Sequence, residues 1–140
     1  MIFCIIGFVI PGFTAIFLVC IQQFLEKLGL ECTIAWKSFW IISWIGMILL
    51  PVLFLKNLRS KETETSEKLK TNLIFFNLFE YFFIQTALSV FFTKATTLCY
   101  GSGGQNGLEL AFTGWLALPI LMVFSYIFEY HTDTTIAPEK

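Results

Sequence analysis

The sequence predicts an all-α integral membrane protein with four transmembrane helices and both termini on the cytoplasmic or matrix side. Three observations lead there. The chain of 140 residues is 56% hydrophobic and only 14% charged, with a mean hydropathy of +0.75, whereas soluble domains carry about 25% charged residues. Its apolar residues gather into four runs, about residues 2–25, 33–55, 72–94 and 108–128, each near the roughly 20 residues a helix needs to cross about 30 Å of hydrocarbon. Lys56, Arg59, Lys61, Lys68 and Lys70 crowd one linker, while the two opposite turns hold Lys27, Lys37 and Lys94, and positive charge favours the inner side. Residues 1–130 thus read as one four-helix domain, 56–71 as a charged inner linker and 131–140 as a polar tail.

The first run, IFCIIGFVIPGFTAIFLVCI, lacks a basic leader and exceeds the roughly 7–15 apolar residues of a secretory signal, so it is expected to stay as a span. Gly29 is placed to stop its helix and Thr33 to cap the next, and so short a turn forces the two to pack antiparallel. In the second run Trp36, Trp40 and Trp44 recur every four residues and form an aromatic contact face. Lys37 beside them can snorkel to the outer headgroups. Glutamates alternate with the lysines of the inner linker, which argues against a polybasic lipid-binding patch there. The outer connector TTLCYGSGGQNGLE, residues 96–109, is glycine-rich, but without GxxxxGK[ST] it is no phosphate loop. Pro11, Pro51 and Pro119 fall in three of the runs and can bend their helices.

The third run, NLIFFNLFEYFFIQTALSVFFT, holds Glu80 among seven phenylalanines. Inserting that carboxylate costs about 2.5–3.5 kcal/mol, and the apolar side chains of the run offset roughly 6 kcal/mol before Asn77 and Gln85 reduce the margin. Asn77, Tyr81, Gln85, Ser89 and Thr93 recur every four residues, so one face of the helix is polar, with Glu80 beside its first two members. Two roles follow. Glu80 is an ion or proton site, or the stripe is glue between helices, each hydrogen bond contributing about 0.6 kcal/mol. No lysine or arginine shares its depth, so a neutral Glu80 bonded to Asn77, Gln85 or a second subunit is expected.

Cys4 and Cys20 sit inside the first run and are expected to be small buried hydrophobes, whereas Cys32 and Cys99 both fall at outer helix ends and are a possible disulfide on an oxidising side. The absence of CxxC argues against thiol redox chemistry. His131, in FEYHTDTT, is the one histidine, too little for a metal centre, and neither metal nor cofactor is expected. A net charge of −1 with interleaved signs speaks against nucleic-acid binding. No nucleophile, base and acid share one depth, so an enzyme is not expected.

What remains is a noncatalytic protein working through helix contacts. It would be an accessory subunit of a larger membrane complex or a binder of a membrane partner, immunity-type proteins included. Its partners are then the bilayer and a membrane protein or further copies of itself. The alternative is a small homo-oligomeric transporter or channel with Glu80 in the path. The stretch FFIQTALSVFFTKATT, following a basic inner linker, resembles the third and fourth helices of drug/metabolite transporters, and that resemblance implies transport. It covers a short part of the chain. The proline expected soon after is replaced by GSGGQNG, and the family's helical half is a helix short here.

Overall fold

The computed structural model describes residues 9–10, 13–60, 66–100 and 108–136. Cys4, Pro11, Gly12, the linker residues 61–65, the glycine-rich segment 101–107 and the tail residues 137–140 lie outside the described residues, as do the side chains of Arg59, His131 and Asp133. Among the described residues the fold is entirely helical: α1 Phe13–Lys27, α2 Cys32–Ser60, α3 Ser66–Ser89, α4 Ala95–Tyr100 and α5 Leu108–Ile136. Two helices are long and apolar enough to cross a membrane, over the 25 residues Cys32–Lys56 and the 21 residues Leu108–Phe128. At 1.5 Å per residue these reach about 37 and 31 Å.

The turn from α1 to α2 follows from one glycine. Gly29 has φ +92°, a backbone conformation that a Cβ strains. Its N–H donates to the Glu26 carbonyl at 2.9 Å, and the Leu30 N–H reaches back to Leu25 at 3.0 Å, closing the α1 carbonyls in a Schellman arrangement. Thr33 is not the cap of α2. The helix begins one residue earlier, because the Glu31 carbonyl already accepts from the Ala35 N–H at 2.9 Å. The Thr33 hydroxyl donates instead to the Glu31 carboxylate at 2.7 Å.

The third helix also ends sooner than the apolar run. Phe91 and Phe92 donate to the carbonyls three residues back, Leu88 and Ser89, at 3.1 Å each, and such bonds tighten the chain into a turn. At the other boundaries the helices outrun the apolar residues: α2 continues to Ser60 and α5 to Ile136.

The third helix is central, packed against α2 on one side and α5 on the other, while α1 lies on α2 and α5, and α4 on α2. α1 turns Thr14, Leu18 and Gln22 inward at four-residue spacing. α2 and α5 run antiparallel to α3, and three rings lock them together at one end. Phe54 stacks on Phe76 with centroids 4.5 Å apart, and Phe128 meets both edge-on at 5.0 and 4.6 Å. Each such pair contributes about 0.5–1.5 kcal/mol beyond burial. Higher up, α2 and α3 approach closely at Gly46, where a Cβ would come within 2.8 Å of the Phe83 ring.

Candidate functional site

The site is built on α3. At 3.6 residues per turn, Asn77, Tyr81, Gln85 and Ser89 lie about 60°, 100°, 140° and 180° round the helix from Glu80, all in the same sense. The stripe is therefore turned from Glu80, and its members bond to other helices. The Ser125 hydroxyl of α5 donates to Asn77 Oδ1 at 2.6 Å. Gln85 Nε2 donates to the Leu110 carbonyl of α5 at 2.7 Å, an oxygen that also accepts from the Thr113 hydroxyl at 2.6 Å. Trp40 Nε1 of α2 donates to Ser89 Oγ at 2.9 Å, and the Ser89 hydroxyl in turn donates to the Thr86 carbonyl at 2.6 Å. Tyr81 is fully buried and stacks on Phe13 of α1, centroids 5.3 Å apart.

Glu80 stands apart from all of this. It is 0% exposed, and neither carboxylate oxygen has a hydrogen-bond partner among the described residues. The expected bonds to Asn77 and Gln85 are absent: both side chains lie round the helix from Glu80 and meet α5, Asn77 through Oδ1 and Gln85 through Nε2. The pairs Gly46–Phe83 and Phe54–Phe76 put Leu50 of α2 at the level of Glu80, and Ser125–Asn77 puts Leu121 and Met122 of α5 there. Leu50 and Leu121 are half-buried and buried, and apolar. Burial without a partner makes the charged form of such a carboxyl very costly. The chain itself covers Glu80, through α2 and α5, so neither a second copy nor a foreign helix is needed to bury it.

The tryptophan face is split. Trp36 is 2% exposed and packs into the core with Leu18, Cys32 and Leu110. Trp40 is half-buried and bonded to Ser89. Only Trp44 looks outward, 37% exposed and edge-on to Phe91 at 6.0 Å. Four-residue spacing drifts by about 40° per step, enough to carry the stripe from core to surface. Among the described residues no acceptor meets the Trp44 indole N–H.

Cys32 and Cys99 are joined by a disulfide that ties the start of α2 to α4, their Cα atoms 6.0 Å apart, whereas Cys20 of α1 is exposed rather than buried. Gln22 of α1, which was not singled out from the sequence, donates to Cys32 Sγ at 2.9 Å and to Glu26 at 3.1 Å. Its place in the Thr14, Leu18, Gln22 repeat was the available signal. No group of three or more potential metal ligands occurs among the described residues. No protein-family model, curated protein or solved structure matches this chain.

Proposed function

We propose that the chain is a small noncatalytic membrane protein of four spans, both termini inside, that works through helix contacts as an accessory subunit or as a binder of one membrane partner. The observation that carries this reading is Trp44. It lies about 18 Å along α2 from Cys32, near the middle of the 25-residue span, where tryptophan is far from the headgroup belt it favours. Lipid tails offer its N–H no acceptor, whereas a neighbouring protein can. Around it, only 11% of an apolar 18-residue stretch of α2 is buried inside the chain, against 39% for the corresponding stretch of α5. Ile41, Ile45 and Ile48 are exposed along the same helix, a surface that lipid or another apolar helix must cover.

The test is the mass of the native particle after mild detergent extraction, with every co-purifying chain identified. A particle of fixed composition containing a second protein, loosened by Trp44→Phe, is expected. A lone, monodisperse chain that is unaffected by the substitution refutes the reading.

A second reading, a homo-oligomeric transporter or channel using Glu80, is favoured by the two unpartnered carboxylate oxygens, since isolated intramembrane carboxyls mark ion and proton paths. Pro51 of α2 and Pro119 of α5 both fall within a turn of its level, and bends at such prolines open cavities in transporters. Glu80→Gln should then abolish proton-coupled uptake in vesicles; unchanged uptake removes the reading.

A further inference from the structure

Where α3 ends, the chain leaves a cleft of about 340 Å³ over the turn to α4, lined by Phe91, Phe92, Lys94 and Thr97 and by Glu109 from the first turn of α5. Two features set it apart. Lys94 and Glu109 line the same cleft with opposite charges, yet among the described residues neither is in an ion pair, with each other or with any other side chain. Beside them Phe91 is 68% and Phe92 56% exposed, an apolar surface next to two charges. A simple anion satisfies Lys94 and is repelled by Glu109, and a simple cation meets the reverse. A ligand that carries both signs satisfies both.

We propose that this cleft holds the headgroup of a zwitterionic phospholipid bearing a primary ammonium. Lys94 and the Thr97 hydroxyl donate to the phosphate oxygens, Glu109 accepts from the ammonium, and the acyl chains lie along Phe91 and Phe92. The volume is at the low end of ligand pockets, which span about 300–1,000 Å³, and suits a headgroup rather than a whole lipid. A primary ammonium offers N–H donors to the carboxylate and a quaternary one offers none, so ethanolamine is preferred to choline. The two phenylalanines favour a lipid over a water-soluble zwitterion of the same headgroup chemistry. The proposal rests on the four-span reading, in which the end of α3 lies at the outer headgroup level.

The experiment is lipid retention by the full chain in detergent micelles, offered phosphatidylethanolamine, phosphatidylcholine and phosphatidylglycerol and read by native mass spectrometry. Retention of phosphatidylethanolamine about tenfold above the other two is expected, equivalent to about 1.4 kcal/mol. Glu109→Gln should erase the preference over phosphatidylcholine, and Lys94→Gln should weaken retention of all three. Both side chains are exposed, and unchanged thermal unfolding checks that the variants fold. Equal retention of the three lipids, or variants that behave as the parent does, overturns the proposal. Displacement of the lipid by an equal concentration of glycerophosphoethanolamine overturns the lipid assignment alone. Labelling of Thr96→Cys by an impermeant maleimide, in a chain with Cys4 and Cys20 changed to serine, reads the topology separately. Modification from the inner side refutes the four-span reading whatever the micelles show.

Discussion

Replacing Glu80 with methionine should make the protein more stable. The carboxyl is 0% exposed and neither oxygen is bonded among the described residues, so folding strips it of water and returns no hydrogen bond. For a neutral polar group that loss is about 1–3 kcal/mol in protein mutational data. Methionine has similar length and no polar group to strand, and its flexible thioether adapts to the space beside Leu50 and Leu121. Glu80→Met is therefore expected to raise the unfolding free energy by about 1–3 kcal/mol, whereas Glu80→Gln, equally unpartnered, should stay within about 0.5 kcal/mol of the parent. Reversible unfolding by SDS in mixed micelles, followed by tryptophan fluorescence, measures both, because the denatured chain gives the carboxyl back to water. A loss of more than about 1 kcal/mol in Glu80→Met would refute the reasoning, since removing one partner of a real bond has that cost. A stabilised variant that has also lost function would instead mark Glu80 as a group kept for use rather than for folding.

Further expectations concern the contacts around it. Gly46→Val should destabilise by about 1–3 kcal/mol in the same assay, because its side chain meets the Phe83 ring near its root, where the ring cannot swing clear. Stability equal to the parent would mean that α2 and α3 are not this close. Trp40→Phe removes the donor to Ser89 and should lower stability by about 1 kcal/mol, with no loss on combining it with Ser89→Ala beyond that of the serine change; additive losses would deny the bond. Cys99→Ser breaks a link across 67 residues of chain. The loop-entropy estimate for that separation is about 4 kcal/mol in water, and the loss should be smaller in a bilayer, where inserted helices are already confined. Unchanged unfolding with and without reductant would show that the two sulfurs are not joined.

The sequence by itself determined the helical class, and it supplied the apolar runs on which the membrane reading rests, because both depend on local composition. Runs of apolar residues of bilayer length need no tertiary knowledge to be read, nor does Gly29, whose left-handed backbone ends α1 wherever that helix lies. The polar stripe of α3 was legible too, since four-residue recurrence on a helix makes a face. Its partners were not: Gln85 bonds a residue 25 positions away, Ser125 reaches Asn77 across 48, and Trp40 reaches Ser89 across 49. Periodicity says that side chains share a face, and only packing says which helix that face meets. The tertiary structure therefore decided that the amides serve α5, that Trp36 is core while Trp44 is surface, and that Glu80 is left alone between α2 and α5. The physical reason is the drift of about 40° at each four-residue step, by which a stripe that is continuous in sequence passes from one neighbouring helix to the next.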